Sequence, residues 1–164
     1  MYQATRHLLG LGHEKILLVI RECGQNLHAE MYDELVDGYS DALADAGIIP
    51  DARHLFFCNG YNLEDGCDSA QKVLESGIDF TAVICLGRSV ARGFRKRFGE
   101  AGRTAPLHYS LLCYDSYVDE TISSYYWSIS ELAYQLACNL IKQPFFQKLY
   151  PVSFHEGSTI REVT

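Results

Sequence analysis

The chain contains no run of apolar residues near the roughly 20 that a membrane-spanning helix needs, so a membrane location is not expected. Its first residues, MYQATRHLLGLGHEK, lack the apolar block and small-residue cleavage site of a secretory signal. A cytoplasmic location is expected. Positive charge is also scarce: 14 Lys and Arg stand against 21 Asp and Glu, a formal net charge of −7. Phosphate binding needs clustered cations, so a nucleic-acid surface spread over these 164 residues is not expected. No C-x-x-C pair occurs among the six cysteines (Cys23, Cys58, Cys67, Cys85, Cys113, Cys138), which read as reduced thiols rather than as disulfides or metal ligands. Enzyme signatures are missing too. There is no G-x-G-x-x-G, no phosphate-binding G-x-x-x-x-G-K-[ST], no G-x-S-x-G and no H-E-x-x-H. Nor is there an internal repeat, a low-complexity tract or a Gly/Ser linker.

What remains is an ordinary globular balance, 48% hydrophobic and 21% charged, enough for one domain with a core. KILLVI (15–20), HLFFC (54–58), FTAVICL (80–86) and HYSLLCY (108–114) read as strands. Between them lie helical periodicities. Tyr32, Val36, Tyr39, Leu43 and Ala46 form one apolar face, stopped by Gly47 and Pro50. A second helix is expected over 61–75 through Leu63, Cys67, Ala70, Val73 and Leu74. Val90, Ala91, Phe94 and Phe98 make the inner face of a third. Strands alternating with helices of this length predict an α/β fold with a parallel sheet and right-handed crossovers. From Asp115 the rhythm changes, with a helix over about 128–142, Pro144, an aromatic connector and a last extended stretch.

Ligands of such sheets bind outside the carboxyl ends of the strands, which nominates loops 21–29, 58–62, 86–89 and 114–117. Arg88 lies in one of them, at the mouth of a helix, where the dipole favours an anion over a cation. It either points into water or helps the helix hold a negatively charged guest. His13 precedes a strand and reads as a structural turn residue. Asp33, Asp37, Asp41 and Asp45 form an acidic stripe, and Arg88, Arg92 and Arg95 a basic one; both read as solvated faces, with pairing between two copies as the rival.

ATRHLLGLGHEKILLV, DGYSDALADAGIIPD, DFTAVICLGRSVARGF, HYSLLCYDSY and STIREVT, in this order and spacing, resemble the effector-binding region of LacI-type (lactose-repressor family) transcription regulators. The shared features are Gly12-His13, Gly38-Tyr39 with Ala42-Leu43, Thr81-Ala82 with Ala91 and Gly93, Tyr114-Asp115, and Arg161-Glu162 with Thr164. The resemblance implies a Rossmann-like, parallel-sheet lobe of a two-lobed periplasmic-binding-protein-like fold. Residues 1–118 would be the C-terminal lobe, 119–150 a crossover toward an N-terminal lobe, and 151–164 a returning strand and tail. It also implies that the helix-turn-helix DNA-binding domain and the first half of the effector domain stand before Met1, outside this chain.

The resemblance further implies a homodimer that holds a small-molecule effector between its lobes, with DNA reached only through that other domain. No catalytic residue, metal or cofactor is implied. Its effector positions fall on Leu35, Tyr61, Arg88, Ser89, Asp115 and Trp127. Leu35 stands where the family commonly has an arginine that grips sugar hydroxyls, and Gly87-Arg88 where it has Asn-Asp. Asp115 keeps the acidic residue that often accepts hydrogen bonds from a sugar. Leucine cannot replace five guanidinium donors, so an anionic effector such as a sugar phosphate or organic acid, a neutral sugar or nucleoside, and no effector at all stay open. A transport-type sugar-binding protein of the same fold is the alternative function. An enzyme would require Asp115, Arg88 and His13 to converge.

Overall fold

A computed structural model describes residues 1–21, 29–142 and 152–163. Six strands form one sheet in the order β2-β1-β3-β4-β5-β6: β1 Ile16–Arg21, β2 Leu55–Cys58, β3 Ala82–Leu86, β4 Ser110–Asp115, β5 Ser124–Tyr126 and β6 Ser153–His155. The first five pair in parallel, and β6 runs antiparallel on β5. The parallel α/β fold expected from the alternation is therefore present, with β1 to β4 in the predicted places.

Strand periodicity divides the core in two. Leu17, Val19, Val83, Cys85, Leu111 and Cys113 face helices α3 (Leu63–Ser76) and α4 (Arg88–Glu100), which contribute Ala70, Val73, Phe94 and Phe98. Ile16, Leu18, Ile20, Ala82, Ile84 and Leu112 face α1 (Tyr2–Gly10) and α2 (Ala29–Asp45) through Leu8, Tyr32, Tyr39 and Leu43. Residues with a period of two thus feed both layers, as a sheet buried on both faces requires. Cys85 and Cys113 sit opposite each other in register and are buried free thiols, as expected; burial pushes both thiol pKa values up. Cys23 lies outside the described residues, as do most of the nominated loop 21–29 and the aromatic connector.

The segment from Asp119 to Tyr126, the first part of the stretch 119–150 that the resemblance gives as a crossover, ends in β5, which pairs with β4. Asp119 is buried and accepts from Thr121 N (3.0 Å), Thr121 Oγ1 (2.8 Å) and Arg92 Nε (2.6 Å). Burial raises its pKa, but these hydrogen bonds and the Arg92 charge outweigh that and leave it below the ordinary carboxylate value. Arg95 donates to Thr121 Oγ1 as well. The basic stripe on α4 is consequently not a bare solvated face: two of its members hold the β4–β5 turn. The acidic stripe on α2 is exposed, as expected, with Asp45 accepting from the Tyr2 hydroxyl. Helix α5 (Ile129–Lys142) follows β5.

The chain's last stretch returns to the lobe. Buried Thr159 donates to the Leu111 carbonyl (2.7 Å) and accepts from Ser123 N (2.9 Å). His13, also buried, has Nδ1 3.0 Å from Thr81 Oγ1 and Nε2 3.0 Å from the Arg161 carbonyl oxygen. A carbonyl can only accept, so Nε2 carries the proton and Nδ1 accepts from the hydroxyl. The structural role expected of His13 is that of a clasp between the tail and the start of β1.

Burial lowers the His13 pKa below 6.5, against the opposing hydrogen bond to Arg161. The unfolded chain therefore takes up this proton first. Its contribution to stability is complete above about pH 6.5 and declines as the pH falls toward the folded value. His13→Gln lacks that decline. Urea midpoints measured at descending pH should show the gap between parent and variant narrowing; a constant gap contradicts the neutral clasp.

Candidate functional site

The strand order reverses beside β1: β2 lies on one side and β3 on the other, which opens a crevice at their carboxyl ends. Local structure there is well defined. Asn62 Oδ1 accepts from Asp65 N and Asp65 Oδ2 from Asn62 N, both at 2.9 Å, closing a reciprocal cap on α3. That cap fixes the end of the β2–α3 loop and with it Tyr61. Gly87 has φ of +100° and donates its N–H to the Tyr114 carbonyl at 3.0 Å, turning the chain from β3 into α4. Its ψ of 131° puts it outside the left-handed helical region, in a conformation essentially reserved for glycine.

The helix that opens at Arg88 does hold an anion, and the anion belongs to the protein. Asp115 Oδ2 accepts from Arg88 N at 2.6 Å, while Oδ1 accepts from Ser116 N at 2.6 Å and Ser116 Oγ at 3.2 Å. A carboxylate on the first N–H of a helix is favoured by both the hydrogen bond and the dipole. The Arg88 side chain turns away from the axis, with its guanidinium 5.5 Å from the centroid of the Tyr117 ring. On the neighbouring strand Arg21 lies over the Tyr61 ring at 5.1 Å.

All six residues nominated from the sequence, Leu35, Tyr61, Arg88, Ser89, Asp115 and Trp127, line one cavity of about 590 Å³. They come from α2, the β2–α3 loop, the start of α4, the end of β4 and the residue after β5. Four further lining residues, Leu86, Gly87, Tyr114 and Tyr117, were not nominated as effector contacts. They lie within the nominated loops 86–89 and 114–117, so position at a strand's carboxyl end was the available signal. Tyr114 and Trp127 pack with ring centroids 5.4 Å apart, and the Trp127 N–H reaches the Asp115 carbonyl at 3.3 Å. Burial raises the Tyr114 phenol pKa, so it stays a neutral donor at physiological pH. His13 is not part of this group. It precedes β1, whereas Asp115 and Arg88 stand at the opposite, carboxyl edge of the sheet.

Residues 5–144 match the family described as a periplasmic binding protein-like domain. The HTH-type transcriptional regulator GalR of Escherichia coli K12 is 33% identical over 140 residues, which cover 82% of this chain and 39% of that protein. The repressor PurR of Glaesserella parasuis is 29% identical over 115 residues, 70% of this chain and 32% of PurR. The chain thus spans about two fifths or less of the curated relatives it matches. Among solved structures, a LacI family regulator from Enterococcus faecium with bound ribose shares 27% identity at a TM-score of 0.77, covering 99% of this chain and 62% of that one. The E. coli repressor ascG, at 20% identity and a TM-score of 0.83, has the same fold over 98% of this chain and 60% of its own.

Proposed function

Because the chain belongs to the periplasmic-binding-protein-like domain family, with LacI-type regulators among its relatives, we propose that it is an effector-sensing lobe of such a regulator. The observation that carries this is the meeting of six residues, distant in sequence, in one cavity at the sheet's switch point. A small molecule there would bias two arrangements of the full protein and so alter DNA binding by a separate helix-turn-helix domain, with no covalent chemistry. A cytoplasmic homodimer is the expected working form. Relatives that are transcription regulators favour the sensor over the transport-type alternative.

The enzyme reading loses its support in the geometry. Asp115 is engaged by Arg88 N and by Ser116, and His13 is sealed against Thr81 and Arg161 at the other edge. The chain's single tryptophan, Trp127, lines the cavity and reports on its contents. A ligand that stabilises the protein from this cavity should shift Trp127 emission, and at about 100 times its dissociation constant it should add about 2.7 kcal/mol. Tyr61→Ala should abolish both effects. A stabilising ligand that leaves the emission unchanged and ignores Tyr61→Ala places the effector elsewhere.

A further inference from the structure

Among the described residues, the cavity walls are mostly apolar. Tyr61, Tyr114, Tyr117 and Trp127 present rings, and Leu35 and Leu86 present hydrocarbon. A sugar in such a site must find a partner for each hydroxyl, since an unpaired polar group out of water is penalised. Asp115, the only carboxylate among the described lining residues, already accepts three hydrogen bonds from the protein.

Positive charge, by contrast, is left over. Arg53, Arg92 and Arg97 each meet a carboxylate: Asp51, Asp119 and Glu100. Among the described residues, neither Arg21 nor Arg88 stands within ion-pair distance of one. Arg21 Nε is buried and has no hydrogen-bond partner among the described residues. Each guanidinium instead lies over a cavity tyrosine, Arg21 over Tyr61 and Arg88 over Tyr117. Tyr61 is packed close to Gly87, where an added Cβ would stand 3.5 Å from its Cδ1. Tyr61 thus touches both the Arg21 guanidinium and the turn after which Arg88 opens α4.

We infer that the cavity takes a flat aromatic ring bearing a carboxylate, with the ring among the tyrosines and Trp127, the carboxylate met by Arg88, and Arg21 adding positive charge from over the Tyr61 ring. This rests on the cavity being the effector site. Guanidinium matches carboxylate in plane, and aromatic walls accept a ring by stacking or by edge contact. A carboxylate fits better than a phosphate because the first N–H of α4, part of the usual phosphate cradle, is already taken by Asp115. Leu35 adds to the apolar wall.

The test is a Trp127 fluorescence titration with benzoate, its neutral isostere benzamide, ribose and ribose 5-phosphate. Benzoate should shift the emission and saturate, with benzamide about tenfold or more weaker. Arg88→Gln should weaken benzoate by about tenfold or more, Arg21→Gln by less, and Arg53→Gln should not change it. Equal binding of benzoate and benzamide overturns the charge requirement without relying on any variant. Saturation by ribose with silence toward benzoate overturns the ligand class but leaves the effector site standing. Tighter binding of ribose 5-phosphate than of benzoate likewise overturns the carboxylate. Silence toward all four overturns the aromatic carboxylate and, if Tyr61→Ala is equally without effect on any stabilising ligand, the site itself.

Discussion

Gly93→Ala should lower the unfolding free energy by about 3 kcal/mol, the upper part of the range for overpacking a tight interior. A Cβ at this position would stand 2.0 Å from the Leu63 carbonyl oxygen, 2.9 Å from Cys67 N and 3.0 Å from Gly66 Cα. All three are backbone atoms of α3 or its first turn, so none can rotate aside. Gly66 makes the reciprocal approach, with its added Cβ 2.2 Å from the Val90 carbonyl oxygen. The two helices touch backbone to backbone, and alanine at either place must push them apart. The better helix propensity of alanine, about 1 kcal/mol, opposes this and is the smaller effect. Urea unfolding gives the comparison. A Gly93→Ala midpoint equal to the parent's would show that α3 and α4 separate without cost. Since α4 begins at Arg88, the displaced helix should also weaken any ligand response of Trp127.

Phe98→Ala should cost about 4 kcal/mol, through the opposite fault. Phe98 is fully buried, stacked on Phe94 with centroids 4.6 Å apart and an interplanar angle of 12°. Its ring also meets Phe80 edge-on at 5.6 Å and Tyr109 at 5.1 Å, and the Arg103 guanidinium lies 5.7 Å from its centroid. Truncation removes the ring's transfer energy and leaves a cavity that three neighbouring rings, held on α4 itself and just ahead of β3 and β4, cannot collapse to fill. Phe98→Leu retains much of the volume and should cost roughly 1–2 kcal/mol. Urea melts with an unchanged slope would give both numbers. Equal losses for alanine and leucine would shift the explanation from cavity volume to the ring contacts themselves.

The strands were legible because a sheet covered on both sides needs continuous apolar runs, and KILLVI and FTAVICL are such runs. β5 was not legible. Ser124–Tyr126 is three residues long and forms a strand only because β4 offers its edge on one side and β6 pairs on the other. The partners of Arg92 and Arg95 were hidden for a related reason. Helical spacing shows that their side chains share a face, but the turn carrying Asp119 and Thr121 lies about 25 residues away in sequence. A stripe of charge reads the same whether it meets water or a folded-back turn.

The amino-acid order alone determined the α/β alternation, the two-sided core and the four strand-end loops from which a site could be built. It also placed a cation at the mouth of α4 and an acid at the end of β4. Tertiary structure decided what those two groups do. Bringing β4 beside β3 sets Asp115 against the first N–H of α4, so the helix dipole is answered from within and Arg88 is released toward Tyr117 and the cavity. Charge and helix position are local properties of a sequence, whereas the partner of a charge depends on which distant strand becomes its neighbour.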